Sequence, residues 1–201
     1  MAAYFSLRRF DFWLVSFLAL AFVLMAVCNA QKSAEDYLGL GNAALMEDAN
    51  ARAIDLYEQG IASLALQQLG SKERQDSTST STSTSSSTLV TRVSLETNLA
   101  TAYSAIEGMR DSAYEHYEAA IRAYYDYKSS TSETEGKRNQ GKAETETPDL
   151  DDARSIVSQA AFFYGMELQD HNARKATEMY GNAVRLDPEL WAAWANLGAC
   201  V

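Results

Sequence analysis

The chain has 201 residues, with 17 Lys and Arg against 27 Asp and Glu for a net charge of −10, and 47% of it is apolar while 22% is charged. That is one globular domain's worth of core; the apolar fraction excludes a disordered tail, ten Gly and two Pro exclude a collagen, and two Cys exclude a disulfide scaffold. The acidic balance argues against a nucleic-acid partner, because phosphate binding needs clustered Lys and Arg to release counterions.

Residues 1–30 differ in composition from everything after them. Arg8 and Arg9 precede an apolar run from Phe12 to Val27, and Cys28-Asn29-Ala30 follows it with small residues two apart. This predicts a secretory signal peptide cleaved before Gln31. The rival is a signal anchor, since the 16 residues of 12–27 are just short of the ~20 that span a bilayer. Both readings export residues 31–201, with the two arginines held on the cytoplasmic side. The expected location is therefore the secretory pathway, lumenal or secreted, with membrane contact only where the N-terminal segment is retained. Without Arg8, Arg9 and Asp11 the remainder carries 15 − 26 = −11 and keeps Cys200 alone, so no internal disulfide can form. No Asn-x-Ser/Thr site or Lys-Asp-Glu-Leu type ending accompanies the signal.

Downstream, two polar stretches interrupt the apolar pattern: a Ser/Thr-rich insert over 70–88, and a Ser-, Thr-, Glu-, Lys- and Gly-rich insert over 128–148. Neither can bury enough surface to offset an ordering entropy of about 1 to 2 kcal/mol per residue. They are expected as flexible loops, and the Ser/Thr run as an O-glycosylated stalk if it is lumenal. Around them lie three blocks with helical periodicity, 31–69, 89–127 and 149–188, and a final stub over 189–201. All-α architecture is the expectation.

The blocks share one design. Ala-x3-Tyr-x2-small occurs at Ala53, Tyr57 and Gly60, at Ala113, Tyr117 and Ala120, and at Ala176, Tyr180 and Ala183. The spacing puts all three on one helix face, where the small residues admit a neighbouring helix and the ring fills the gap. In the first block Tyr37, Leu40, Gly41 and Ala44 form a second stripe upstream, and Leu186-Asp187-Pro188 stops the last helix of the third.

These residues resemble the tetratricopeptide repeat, whose pattern is Trp-x2-Leu-Gly-x2-Tyr, then Ala-x3-Phe-x2-Ala, then Pro. The resemblance implies helix-turn-helix units stacked into a solenoid. The first block follows it in register and lacks only the proline. The second, with Leu99, Ala100 and Tyr103, needs one extra residue in the turn near Gly108 and Met109. In the third, either Phe163-Tyr164 or Tyr164-Gly165 takes the Leu-Gly place, the latter with a one-residue deletion. Both inserts fall between units, where each doubling of loop length costs only about 0.6 kcal/mol, so one continuous stack is expected.

Catalytic chemistry has little to stand on. His116, His171 and Cys200 are the scarce reactive side chains of the exported part; they form no metal-ligand or nucleophile spacing, and both histidines read as surface residues. Gly39-x-Gly41 lies inside a helical stripe without the strand or third glycine of a phosphate loop. Asp149, Asp151 and Asp152 lack a calcium-loop order and fit a helix N-terminus, where carboxylates oppose the dipole. No cofactor, metal or enzymatic activity is expected.

The repeat resemblance implies a protein or peptide partner held in the concave groove of the first helices. A carboxylate-clamp variant of that groove would place asparagines at Asn42 and Asn98, which match, and cations at Leu38, Ser158 and Phe162, which do not. Without those cations an acidic chaperone tail is repelled. The expected groove is instead neutral to acidic, with Glu35, Asn42, Thr97, Asn98 and Thr101 as partner-binding residues suited to an extended or basic peptide. Asn196-Leu197 repeats the Asn-Leu pair, so a structural role for these asparagines stands beside the binding role. The stub, Trp194-Ala195-Asn196-Leu197-Gly198, opens a fourth unit and then stops. Either it caps the array, or the chain is the substrate-recruiting arm of a larger lumenal transferase. The leading expectation is a non-catalytic interaction scaffold.

Overall fold

The computed structural model describes residues 32–74, 85–135 and 148–200. The chain divides into a short unit, Met1–Lys32, and a larger one, Ser33–Val201; the signal segment expected over 1–30 lies outside the described residues. The described residues form seven helices and no strand. No helix among them is long and apolar enough to cross a membrane.

Helix α1, Ala34–Met46, opens on a capping box: Ser33 Oγ accepts from the Asp36 N–H, and Asp36 accepts in return from the Ser33 N–H. A short turn with Asp48 at φ 56° leads into α2, Asn50–Arg74. Helix α3, Ser86–Ser104, is capped by Ser85, whose hydroxyl accepts from the Thr88 N–H. It joins α4, Arg110–Glu135, through a turn in which Gly108 takes φ 84°, a left-handed conformation that glycine adopts without steric cost. Helix α5, Pro148–Leu168, starts on its proline, where the missing N–H costs nothing, with Asp149 and Asp151 in the first turn. Asn172 caps α6, Ala173–Leu186; Asp187-Pro188 then separates it from α7, Trp191–Ala199.

Three helices run past the bounds that composition suggested. Helix α2 continues to Arg74, α3 already begins at Ser86, and α4 extends to Glu135, so the polar stretches 70–88 and 128–148 are partly helical; residues 75–84 and 136–147 lie outside the described residues. In α4 the extension is locally satisfied: Ser129, Ser130 and Thr131 donate their hydroxyls to the carbonyls of Asp126 and Tyr127.

Helices pack as hairpins, α1 with α2, α3 with α4 and α5 with α6. Each hairpin's second helix then meets the first helix of the next, and the first helices touch directly, α1 against α3 and α3 against α5. The tyrosines of the Ala-x3-Tyr-x2-small motif, Tyr57, Tyr117 and Tyr180, are fully buried, as are its alanines. Burial of each such ring stabilises by roughly 1.5 to 3 kcal/mol. A Cβ built on Gly165 would lie 2.6 Å from Cε1 of Tyr180, and one on Gly41 would lie 2.6 Å from Cδ1 of Tyr57. Gly165 therefore receives the third ring as Gly41 receives the first, and of the two alignments open in the third block Tyr164-Gly165 is the one that fits. Helix α3 has neighbours on several sides and α1 has fewer. Leu99, beside Ala100, is 0% exposed, whereas Leu40, beside Gly41, is 37% exposed.

Glutamates that follow two of the motif tyrosines staple the hairpins together. Tyr103 of α3 donates to Glu58 Oε1 at 2.7 Å, and Tyr164 of α5 donates to Glu118 Oε1 at 2.8 Å. Lys175 closes the second staple with its Nζ 2.5 Å from Glu118 and 5.1 Å from the centroid of the Tyr164 ring. The lysine bond holds the Glu118 carboxyl below its ordinary pKa. The residue after Tyr180 is Gly181, so the last hairpin has no equivalent staple.

Candidate functional site

The five residues expected to meet a partner fall on α1 and α3. Asn42 and Asn98 come together: Asn98 Nδ2 donates to Asn42 Oδ1 at 2.8 Å, and Tyr57 OH donates to the same oxygen at 2.8 Å. The amide pair thus bridges two successive first helices and anchors the phenol of the motif ring beneath it. Burial pushes that phenol up to about 12, and the nearby Asn98 side chain opposes the shift. Asn42 is exposed and Asn98 half-buried. With Asn42 Oδ1 already accepting two bonds, the pair still has amide N–H donors beyond them.

Thr101, next along α3, is half-buried; its hydroxyl donates to the Thr97 carbonyl at 3.0 Å and lies 3.4 Å from Tyr117 OH. It follows Ala100 as Asn42 follows Gly41, and so meets the second motif ring in the corresponding place. In the third hairpin that place is held by Met166, which has no oxygen, and Tyr180 donates instead to Gln169 Oε1 at 3.0 Å. Glu35 is exposed at the start of α1, with Oε1 accepting from Thr91 Oγ1 at 3.4 Å across to α3. Thr97 is buried and its hydroxyl donates to the Val93 carbonyl at 2.7 Å, so the accessible polar face at that turn of α3 belongs to Asn98 and Thr101.

Asn196 of α7 opposes the rise of the Tyr180 phenol as Asn98 opposes that of Tyr57. Through its bond to Asn42 Oδ1, the atom that also accepts from Tyr57, Asn98 has a structural role whatever else it binds.

The strip continues on α5 with a different chemistry. Phe163, one turn from Met166, is exposed together with it, and the Phe163 ring lies 5.6 Å from that of Phe162, which in turn reaches Tyr180. Sequence reading did not single out Phe163 and Met166 as partner-binding residues; the signal was the unsettled register of the third block, which hid which side of α5 is outermost.

Of the scarce reactive groups, His171 is exposed, with Nε2 2.6 Å from Arg110 Nη1. His116 departs from the surface position expected of it. Its Nδ1 lies 2.8 Å from Oε2 of Glu96, a side chain only 7% exposed, and its ring stacks on Tyr103 at 5.5 Å. The reason is Glu96 itself, which sits on the interior side of α3, where a carboxylate needs a partner. Cys200 is half-buried beside the Tyr180 cluster. Among the described residues no three His, Cys, Asp or Glu side chains converge to hold a metal. Compared with family models, curated proteins and solved structures, the chain matches none.

Proposed function

We propose that residues 33–200 form a tetratricopeptide-like solenoid that serves as a non-catalytic interaction scaffold in the secretory pathway. A partner peptide lies across the exposed strip of the first helices α1, α3 and α5, in the concave groove such a stack provides. The observation that carries this reading is the Asn42–Asn98 bond, which joins two successive first helices side by side on an accessible surface. Support also comes from the repeated burial of Tyr57, Tyr117 and Tyr180, which makes each hairpin a variant of one unit.

The strip is polar at one end, with Glu35, Asn42, Asn98 and Thr101, and apolar at the other, with Phe163 and Met166. An extended peptide can satisfy its main-chain groups on the amides and seat an apolar side chain on the rings. The net charge of −10 favours a peptide with basic residues and disfavours an acidic tail.

Selection of peptides from a displayed random library on the immobilised full-length chain tests the reading. Enriched peptides are expected to lose about tenfold or more in affinity on Glu35→Lys and Thr101→Arg, and to be indifferent to Asp126→Lys on α4. Peptides that ignore both changes in the strip would remove the groove from the account.

A further inference from the structure

The chain has two histidines, and each stands against one charged neighbour, of opposite sign in the two cases. His116 of α4 lies with Nδ1 2.8 Å from Oε2 of Glu96, the interior carboxylate of α3. An ionised carboxylate only accepts, so Nδ1 carries the hydrogen and donates it. Nε2 is left with a lone pair and, among the described residues, no partner. The His116 side chain is 27% exposed, so a proton can reach the ring from water.

No lysine or arginine among the described residues pairs with Glu96, and Arg92, one turn earlier on α3, is exposed. From α3 the imidazole also meets the stacked ring of Tyr103. Beyond that ring, Glu58 of α2 accepts from the Tyr103 hydroxyl and Asp55 of the same helix adds its charge. On α4 itself the positions one turn from His116 are Ser112, Ala113, Ala119 and Ala120; Glu115 is exposed, and Glu118 is taken by Tyr164 and Lys175. The charges that face the ring from α2 and α3 are therefore carboxylates, and the interior one has no cation against it until the imidazole becomes one.

A neutral imidazole gives Glu96 a hydrogen bond; a protonated one gives the same bond with a counter-charge, and such charge-assisted bonds are roughly twice as strong. We propose that Glu96 and His116 form a proton-operated clasp between α3 and α4, closed firmly when Nε2 takes up a proton. Helix α3 carries Asn98 and Thr101, so the clasp sets how tightly the middle first helix is held; it does not rest on a partner in the groove. His171 works in the opposite sense. Arginine only donates, so His171 Nε2 accepts from Arg110 Nη1, and a proton there replaces the bond by two like charges. Glu167 also meets Arg110, with Oε2 3.8 Å from Nε, and Asp170, Arg174 and Lys175 are the other charged residues within a turn of His171. His171 and Arg110 are both exposed, so water screens this opposing effect.

The test removes the opposing contact first. In the full-length chain carrying His171→Gln, urea unfolding at about pH 8 and about pH 6 brackets the ordinary histidine value near 6.5. The same chain with His116→Gln added has no histidine left and supplies the baseline. Relative to it, the unfolding constant of His171→Gln is expected to fall about threefold or more from the higher pH to the lower. Glu96→Gln, which keeps an acceptor and removes the charge, is expected to follow the baseline. A fall smaller than about threefold, or one that survives Glu96→Gln, overturns the clasp. A second reading needs no substitution: imidazole nitrogen-15 shifts of the labelled chain at about pH 8 are expected to show His116 as the Nδ1–H tautomer. The Nε2–H tautomer there overturns the proposal as well.

Discussion

The ring of Tyr57 fills the space in which a side chain on residue 41 would begin: a Cβ on Gly41 would stand 2.6 Å from Cδ1 and 2.7 Å from Cζ of that ring. The phenol oxygen of the same ring reaches Asn42 at 2.8 Å. One tyrosine thus ties its hairpin together through packing and through a hydrogen bond, and Tyr180 repeats the packing on Gly165.

Glycine substitutions should separate covered from uncovered first helices. Gly41→Ala and Gly165→Ala force ring displacement in a buried site and are expected to cost about 1 to 3 kcal/mol each. Gly198→Ala meets open space and is expected to be neutral or stabilising by up to ~1 kcal/mol through helix propensity. Urea unfolding of the three variants measures the contrast; equal effects at all three would contradict the packing.

Asn42 and Asn98 act on one another and on Tyr57, so their effects should not add. Each alanine substitution is expected to lower stability by about 1 kcal/mol, and the double variant by clearly less than the sum. Strict additivity in a double-mutant cycle would mean that the amide bond is not formed in solution.

His116→Ala leaves the Glu96 carboxylate interior and without the imidazole, and is expected to destabilise by about 1 to 3 kcal/mol. His171→Ala, on the surface, is expected to fall within about 0.5 kcal/mol of the parent. Thermal or urea unfolding distinguishes them, and an innocuous His116→Ala would refute the pairing.

Alkaline pH should unfold the protein ahead of its tyrosines. Tyr57 is pushed up to about 12 by burial and Tyr103 to about 12 chiefly by its bond to Glu58; burial also raises Tyr114, Tyr117, Tyr164 and Tyr180. A phenol whose pKa is raised on folding stabilises the folded state fully below its unfolded value near 10, and this contribution is lost as pH rises through the folded value. The urea midpoint is therefore expected to fall steeply between pH 10 and 12, and Tyr57→Phe to make the fall shallower. A midpoint unchanged over that interval would contradict the burial of these phenols.

Much of the fold was legible because its repeating signal is local. Ala-x3-Tyr-x2-small marks a helix face by spacing alone, and its three tyrosines are the rings at the centre of the hairpins. Helix lengths were less legible: serine and threonine at the end of α4 satisfy their hydroxyls on the preceding turn, so a polar composition did not stop the helix. The candidate site was legible only in part. Asn42 and Asn98 stand on different helices, and their bond arises from how α1 lies against α3, which no spacing within one helix encodes. Thr97 is buried while its neighbour Asn98 is half-buried, a boundary set by what packs on α3 from outside it and not by the spacing within it. The pairing of His116 with Glu96 depends on a carboxylate placed on an interior face, where composition predicts a solvated one.

The central claim, that the first helices present the partner-binding surface, is tested most directly by following amide and side-chain amide resonances of the labelled chain as a selected peptide is added. The account predicts that the largest shifts fall on Glu35, the side-chain amides of Asn42 and Asn98, Thr101, Phe163 and Met166. Shifts confined to the outward faces of α2, α4 and α6, with those residues unmoved, would contradict it.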